Sequence, residues 1–324
     1  MSDQCVVGVD LGGTKILTIV YSQQMKKLGS FKQKTKLAAG KQLLLKVIEG
    51  IEAALKDAGC REEDVLAIGV AVPGLVHTKN SDLVDLTNLN THNFNMGEPL
   101  RARFHVPVVL ENDVNAGTLG EYRFGIKQKA KHVIGLFVGT GVGGGLILNG
   151  ELYRGAHGAA GEIGHIVIQA GGPASSVGIP GSLEALASKT ALAKDMVVLA
   201  AAGKAPEVLK EVGTDFAKVK SSLILQSIRK KEEAVIQLVN RSADFLGIGM
   251  AACVQIFNPE VILLGGGVVE KLGKTYVERA EKAMQKHSMK NLAKDVQVVS
   301  ASLGDDAVPM GVASLALEKG KKRG

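Results

Sequence analysis

CVVGVDLGGTKILTIVY, at Cys5–Tyr21, is the stretch that decides the fold. Apolar runs on either side of a Gly-Gly turn predict two buried strands, Cys5–Asp10 and Ile16–Tyr21, joined as a hairpin with the glycines at its tip. A second stretch of this kind follows the predicted strand His132–Val138, where GTGVGGG occupies Gly139–Gly145. One glycine-tipped hairpin in each half predicts an α/β protein with two similar domains flanking a cleft.

Strand and helix patterns alternate through the rest of the chain, as expected for such domains. The basic break Gly125–Lys131 predicts the junction between them. We therefore expect an N-terminal domain over 1–125, completed by a helix within 306–324, and a larger domain over 126–305. The predicted helices are Gly40–Gly59, Val114–Tyr122, Ser182–Ala202, Val208–Leu225, Lys231–Phe257 and Asp306–Leu317, and the further strands are Asp64–Val72, Val106–Leu110, Val261–Leu264 and Val296–Ser300.

Composition narrows the class of protein. A chain of 324 residues with 46% hydrophobic residues can bury two domain cores. The net charge of +7 is spread over scattered lysines and the chain has no Trp, so we expect no nucleic-acid partner. Long apolar runs are missing, so we expect no membrane span. Three distant cysteines, Cys5, Cys60 and Cys253, form no disulfide framework, which favours a reducing, cytoplasmic compartment.

The two glycine turns are candidate phosphate sites, because backbone N–H groups of such turns bind anions. An ordinary tight hairpin is the alternative for each. The G-x-G-x-x-G pattern in the second turn also suggests a dinucleotide site, but that motif requires a following helix, and LILNGELYRG predicts another hairpin. The candidate phosphate ligands are Gly12, Gly13, Thr14, Lys15, Gly139, Thr140, Gly141 and Gly143, with Asp10 beside the first turn as a ligand of Mg²⁺, directly or through water.

A candidate base follows the strand Val106–Leu110, in the sequence Glu111-Asn112-Asp113. Asp113 at a strand's carboxyl end could accept a proton from a substrate hydroxyl, with Asn112 bonded to the same group. The alternative is that Asp113 only caps the following helix. Gly74, in the Pro-Gly turn after the preceding strand, is expected at the same edge of the sheet.

The stretch Gly155–Glu184 contains three further polar candidates, Glu162, His165 and Glu184, among many glycines. Glycine lets the backbone approach a ligand closely, so this run could surround a small polyol. A mobile surface loop is the alternative. The triple glycine Gly265, Gly266 and Gly267 after a strand could border a flat ring such as adenine, or could form only a tight turn.

Together these motifs resemble the ROK (repressor, open reading frame, kinase) family of sugar kinases, within the actin-like ATPase fold. The resemblance covers nearly the whole chain and rests on DLGGTK, END, GTGVGGG, GAHGAAGEIGH and LGGG. It implies ATP-dependent phosphorylation of a hexose, most simply glucose, with Asp113 as the base. It also implies Mg²⁺ at Asp10, phosphate and adenosine at the glycine turns, and a homodimer. The implied sugar ligands are Gly74, Asn88, Asn112, Asp113, Glu162, His165 and Glu184.

Other functions remain open. Mannose, fructose, allose or an N-acetylated amino sugar could replace glucose, and polyphosphate could replace ATP. A sugar sensor without catalysis would not need Asp113. A repressor of the same family would carry a DNA-binding helix-turn-helix, for which only nine residues precede Asp10. A nicotinamide dehydrogenase is disfavoured because no helix follows Gly139–Gly144.

The chain departs from the family at the structural zinc site. The resemblance implies three thiolates with His165 as the fourth ligand, but Ser175, Val177 and Ser182 occupy the thiolate positions. Serine is a poor zinc ligand and valine is none. We expect the loop to be held by packing and hydrogen bonds instead.

This departure gives the first prediction. Protein purified without chelator should carry no zinc, and EDTA should change neither its unfolding midpoint nor its sugar affinity. Inductively coupled plasma mass spectrometry measures the metal content. About one tightly bound zinc ion per chain would refute the prediction.

Overall fold

Two five-stranded sheets with the same strand order form the framework of the computed structural model. It describes residues 4–35, 40–77, 80–86 and 91–321, of Lys321 only the backbone. The chain divides into two units, the first comprising the described residues of Met1–Lys129, Leu152–Ala160 and Ser302–Gly324, and the second Ala130–Glu151 and Gly161–Ala301. The predicted α/β class is confirmed.

The first unit is built on a sheet of order β3-β2-β1-β4-β8. The hairpin β1–β2 is antiparallel, whereas β4 and β8 run parallel to β1. Apolar residues of α1 cover one face of this sheet, and α11 covers the other. The elements of this unit are β1 (Cys5–Leu11), β2 (Lys15–Ser22), β3 (Lys27–Lys34), α1 (Lys41–Ala58), β4 (Val65–Val72), β5 (Leu75–Val76), β6 (Leu83–Leu86), β7 (Thr91–Asn95), α2 (Gly97–Phe104), β8 (Val108–Asn112), α3 (Asp113–Gly120) and α11 (Ala307–Lys321).

The second sheet has the order β11-β10-β9-β12-β13, with the glycine-rich hairpin β9–β10 antiparallel and β12 and β13 parallel to β9. Its long helix α8 is capped at the C-terminus by Asn258, which has a left-handed backbone conformation. The N–H of Asn258 donates a hydrogen bond to the carbonyl oxygen of Val254. The elements are β9 (Val133–Val138), β10 (Val142–Leu148), β11 (Glu151–Leu152), α4 (Leu183–Ala187), α5 (Lys189–Ala201), α6 (Pro206–Val212), α7 (Ser221–Arg229), α8 (Glu233–Phe257), β12 (Val261–Gly265), α9 (Gly267–His287), α10 (Lys290–Ala293) and β13 (Gln297–Ser300).

Both predicted hairpins are confirmed, but several elements differ from the sequence prediction. Strand β3 is an edge strand with mostly exposed charged and polar side chains, so it lacks the apolar pattern of the others. The segment Thr78–Asn95, in which no strand or helix is predicted, contains β6 and β7 within its described part, and β5 joins them in a small antiparallel sheet.

Two predicted helices are each interrupted. Ser188 ends α4 and caps α5 through its hydroxyl, because serine competes with the helix backbone for hydrogen bonds. Gly213 has φ 59° and ends α6, which separates α6 from α7. No helix in the described ranges is long and apolar enough to cross a membrane.

Helix α11 packs unusually close to its neighbours because glycines remove side chains from the contacts. A Cβ on Gly8 of β1 would lie 2.1 Å from the carbonyl oxygen of Pro309, and one on Gly69 of β4 would lie 2.3 Å from that of Val312. The contact between α11 and α3 is tighter still. A Cβ on Gly311 would lie 1.9 Å from the carbonyl oxygen of Ala116 in α3. The position of α3, which begins at Asp113, therefore depends on this glycine contact.

Gly311→Ala should lower the free energy of unfolding by about 1–3 kcal/mol, because a methyl group must force the helices apart. Urea unfolding monitored by circular dichroism measures the change. Gly320→Ala is the matched control in the same helix, since its nearest neighbour, Cβ of Ala67, would lie 3.5 Å away. The control should be neutral or gain up to about 1 kcal/mol from helix propensity. Equal effects at the two positions would contradict the packing argument.

Candidate active site

Asn112, and not Asp113, caps helix α3. The side-chain Oδ1 of Asn112 accepts the backbone N–H groups of Val114 at 2.9 Å and Asn115 at 3.0 Å. Its Nδ2 donates to the carbonyl oxygen of Gly74 at 3.0 Å. The alternative reading of Asp113 as a plain N-cap is therefore wrong. The side-chain oxygen of Asn112 is thus used by the helix, and one Nδ2 hydrogen is used by Gly74. The second Nδ2 hydrogen has no partner among the described residues and can be donated to a ligand.

Asp113 is the first residue of α3, at the carboxyl end of the sheet. Its side chain is partly exposed, and its Oδ1 accepts the N–H of Val114 at 2.9 Å. A carboxylate in the first helical turn is stabilised by the helix dipole. Strand β4 ends beside β8, with Val72 paired to Asn112, so Gly74 lies at the same edge. The structure thus brings Asp113, Asn112 and Gly74 together as predicted, while Asn88 lies outside the described residues.

Asp10 lies at the same edge, because β1 and β4 pair in parallel with Asp10 opposite Ala71. Burial, and to a lesser extent the negative charge of Asp113, raises the pKa of Asp10 to about 7, against the lowering effect of Lys15. Asp10 pairs with Ala71 in β4 and Ala71 pairs with Glu111 in β8, so the carboxylates of Asp10 and Asp113 lie at the same edge of the sheet. Such a pair repels itself when both are ionised, and a bound cation would relieve the repulsion.

The first glycine turn is closed by its own hydrogen bond, from the N–H of Gly12 to the carbonyl oxygen of Lys15 at 2.9 Å. Gly13 and Thr14 are exposed at the tip. The buried Thr35 holds the turn from below, since its hydroxyl donates to the carbonyl of Gly12 at 2.7 Å. The backbone of the tip is therefore fixed and open to solvent.

Lys15 already has a partner. Its Nζ lies 2.7 Å from Oδ1 of Asp305, whose side chain is 60% exposed. Exposed ion pairs contribute little, typically about 0–1 kcal/mol. An approaching phosphate could replace Asp305 at small cost, so the contact is compatible with the predicted role of Lys15.

The second glycine turn, between β9 and β10, is closed in the same way. The N–H of Gly139 donates to the carbonyl oxygen of Gly141 at 2.9 Å. Helix α5 supports this turn, because the hydroxyl of Thr190 donates to the carbonyl of Thr140 at 2.7 Å. Gly143 is the second residue of β10 and lies opposite Phe137.

Glu184 lies against this second turn. Its Oε2 accepts the N–H of Val142 at 3.3 Å, and a Cβ on Gly141 would lie only 2.2 Å from that oxygen. Its Oε1 accepts the hydroxyl of Ser176 at 2.7 Å. The glycine at 141 is thus needed for the carboxylate to approach the turn, and a sugar-binding candidate and a phosphate-binding candidate become direct neighbours.

Glu162 and His165 lie on a short helical turn beside β10. Glycine again permits the approach, since a Cβ on Gly164 would lie 1.9 Å from the carbonyl oxygen of Val142. Nε2 of His165 lies 3.6 Å from Oε2 of Glu162. The N–H of Leu183 donates to the carbonyl of Ile166 at 2.9 Å, which brings the segment of His165 next to that of Glu184. The three predicted sugar ligands of this unit therefore lie together.

The triple glycine follows β12, directly beside the second glycine turn. Gly265 pairs with Phe137 in β9, and Gly266 has φ 89° with its Cβ position 2.6 Å from the carbonyl oxygen of Val138. Apart from its chain neighbours and its own helix backbone, no described atom lies within 4 Å of the Cβ position of Gly267. A cavity of about 690 Å³ opens here, within the range of about 300–1,000 Å³ usual for ligand pockets. Its lining includes Gly265, Val269, Glu270, Gly273, Ser300 and Ala301.

The donor set does not fit a structural zinc. The hydroxyl of Ser182 caps α4 by accepting the N–H of Ala185, and that of Ser175 accepts the N–H of Ile179, both at 3.3 Å. Val177 is 53% exposed. Nδ1 of His165 is buried without a hydrogen-bond partner among the described atoms. The loop is held by backbone bonds instead, including one from Gly181 N–H to the carbonyl of Pro173 at 2.8 Å.

A magnesium ion fits better, because it commonly takes one or two carboxylates and completes its shell with water and phosphate oxygens. Asp10, at the carboxyl edge of the sheet, provides such a carboxylate. Among the described residues, no group of three or more His, Cys, Asp or Glu side chains is arranged to hold a metal without further ligands.

Sequence reasoning missed three contacting residues. Ser176, which bonds Glu184, lies between two positions of the missing thiolates, and the absence of zinc was the signal that another group must hold this loop. Arg154 immediately precedes the glycine-rich run and binds Glu111. Asp305 has no local signal, since it is 290 residues from Lys15 in sequence.

Comparison with known proteins places these features in a family. A model described as the ROK family matches residues 6–319. The glucokinase of Halalkalibacterium halodurans is 29% identical over 320 residues, covering 96% of this chain and 94% of that protein. The xylose repressor of Caldicellulosiruptor bescii is 29% identical over 313 residues, covering 96% of this chain and 78% of the repressor. A solved ROK family glucokinase from Streptomyces griseus, in complex with glucose and AMPPNP, matches with a TM-score of 0.83 at 30% identity over 97% of this chain and 99% of its own.

The raised pKa of Asp10 gives a pH prediction for protein free of divalent cations. The folded state keeps the Asp10 proton up to about pH 7, whereas the unfolded chain loses it near 3.8. The resulting stability is complete below about pH 4 and is lost as pH rises through 7. Asp10→Asn cannot lose a proton, so its stability relative to the native protein should increase from pH 5 to pH 8, by at most about 3 kcal/mol.

Urea unfolding in EDTA at both pH values measures this difference, with Asp295→Asn as an exposed control. A stability difference between Asp10→Asn and the native protein that does not change with pH would contradict the raised pKa.

Proposed function

The chain belongs to the ROK family, and from that premise we propose that it is an ATP-dependent hexose kinase acting on glucose to give glucose 6-phosphate. Its fold is the actin-like ATPase fold of ROK sugar kinases. The observation that carries the proposal is the arrangement around Asp113. The carboxylate stands at the carboxyl edge of the sheet, where Asn112 takes over the capping of α3 and Asp10 is a neighbour.

In the proposed reaction, Asp113 accepts the proton of the attacking sugar hydroxyl. The sugar oxygen forms a bond to the γ-phosphorus of ATP, the bond from that phosphorus to the β–γ bridging oxygen breaks, and ADP leaves. Catalysis of this kind depends mainly on positioning and charge neutralisation. A hydrated Mg²⁺ at Asp10 would supply positive charge to the phosphates.

The other roles follow the family motifs residue by residue. The proposed sugar ligands are Gly74, Asn88, Asn112, Asp113, Glu162, His165 and Glu184. Phosphates would bind at Gly12, Gly13, Thr14 and Lys15 and at Gly139, Thr140, Gly141 and Gly143. Adenosine would border Gly265, Gly266 and Gly267, which is supported by the open space at Gly267 and the cavity beside it.

We further propose that the two units are the two domains of the enzyme, that the protein is cytoplasmic, and that it acts as a homodimer. A second candidate function is sugar sensing without catalysis. It is favoured by the likeness to a xylose repressor over 96% of this chain. The two functions differ in one measurable outcome, which is whether sugar binding leads to ADP release.

The test is a panel of sugars with Mg-ATP, read by coupled ADP release. It includes glucose, mannose, fructose, allose, N-acetylated amino sugars and xylose, with polyphosphate as a second donor. We expect the highest kcat/KM with glucose and ATP. Saturable sugar binding by calorimetry with no turnover for any sugar and donor would reject the kinase proposal and support the sensor.

Asp113→Asn should lower kcat by roughly 10²–10⁴-fold, the scale for loss of a general base. Sugar affinity, measured by calorimetry, should change much less, because the amide keeps the shape of the side chain. The matched control is Asp195→Asn, since Asp195 is half exposed on α5. A native kcat in Asp113→Asn would show that Asp113 is not the general base.

A further inference from the structure

Glu111 is a buried carboxylate that the proposed reaction does not use. It lies on β8, two residues before Asp113, and its side chain is 5% exposed. A buried charge is costly unless it is paired and fully hydrogen-bonded. The partners of Glu111 therefore indicate what its charge holds in place.

Oε2 of Glu111 binds the guanidinium of Arg154. Nε of Arg154 donates at 2.7 Å and Nη2 lies 2.6 Å from the same oxygen, so two nitrogens of the cation meet one carboxylate oxygen in a short, charge-assisted contact. Oε1 faces the other way and accepts the backbone N–H of Asn112 and the side-chain Nδ2 of Asn115, each at 3.1 Å. One carboxylate thus joins Arg154 to the residues on either side of Asp113.

Arg154 also fixes the start of the glycine-rich run. Its carbonyl oxygen accepts the N–H of Ala160 at 3.0 Å, which closes the loop between them. The segment Leu152–Ala160 belongs to the first unit, whereas Glu151 and Gly161 on either side of it belong to the second. The guanidinium is therefore the charged attachment of this segment to the strand and helix that carry Asp113.

We propose that Arg154 is a positioning residue for the base. Through Glu111 it holds the backbone of Asn112 and the side chain of Asn115, and so sets the direction of the Asp113 carboxylate. The expected effect on kcat rests on the proposed function. The structural link from Arg154 through Glu111 to Asn112 and Asn115 rests on the contacts alone. Lysine offers a point charge where arginine offers a planar fork, so Arg154→Lys should replace the contact only in part.

The first experiment compares kcat and KM in four variants. Arg154→Met should lower kcat about tenfold to hundredfold, the scale of a misplaced catalytic group, with KM for the sugar within about threefold. Arg154→Lys should recover part of kcat. Arg103→Met is the control, because Arg103 is 38% exposed against 39% for Arg154 but pairs with the exposed Glu62. It should keep native kcat and KM.

The fourth variant separates positioning from stability. Arg154→Met leaves Glu111 buried without its cation and is expected to lower the unfolding midpoint. Adding Glu111→Gln removes that uncompensated charge, so the double variant should recover the midpoint. A positioning role predicts that its kcat stays low. Recovery of native kcat together with the midpoint would overturn the proposal, because stability alone would then explain the loss.

The second experiment needs no activity. Hydrogen–deuterium exchange at the backbone amides of Asn112 and Ala160 should be at least tenfold faster in Arg154→Met than in the native protein. In Arg103→Met the exchange rates of these two amides should be native. Faster exchange in a protein whose native form phosphorylates no sugar would support the structural link and reject the kinase proposal. Native exchange and native kcat in Arg154→Met would overturn the link itself.

Discussion

The close approach of α11 to α3 is the constraint on which the candidate base depends. Gly311 and Gly120 face each other across this contact, where Cβ atoms would lie 1.9 Å and 2.1 Å from carbonyl oxygens of the opposite helix. Interiors are packed densely enough that such a contact fixes position to a fraction of an ångström. Helix α3 therefore has one position on the sheet, and its N-terminus holds Asp113 at the ends of β4 and β8. The last helix of the chain thus sets the place of a residue nearly 200 positions earlier in sequence.

The two units hold their glycine turns in place by different side-chain contacts. Each has a hairpin whose glycine turn is closed by its own backbone hydrogen bond, so that the tip is rigid before any ligand arrives. In the first unit Thr35 supports the turn, and Asp10 and Asp113 provide charge. In the second unit Glu184 lies directly on the turn and Ser176 holds its other oxygen. This loop has no thiolates to bind zinc, and serine hydroxyls and backbone hydrogen bonds hold it instead.

Much of the fold could be predicted from the sequence, because local sequence patterns indicate many of its elements. Buried strands and glycine turns have short-range signatures, so both hairpins, the strand before Asp113 and the α/β class could be identified. The capping role of Asn112 could not, because Asn112 and Asp113 are both good caps and only geometry separates them. Arg154 and Asp305 were missed because their partners are distant in sequence, and Ser176 was missed because a single polar residue carries no periodic signal. Edge strand β3 was missed because its charged side chains protect an exposed edge.

The central claim is that Asp113 accepts the proton of a sugar hydroxyl. The most direct measurement is a crystal structure of the Asp113→Asn variant with glucose and a non-hydrolysable ATP analogue. The account predicts one sugar hydroxyl within about 2.6–3.2 Å of the side-chain oxygen at position 113, on the side facing the terminal phosphate. A bound sugar whose hydroxyls all lie beyond hydrogen-bond reach of position 113 would contradict it.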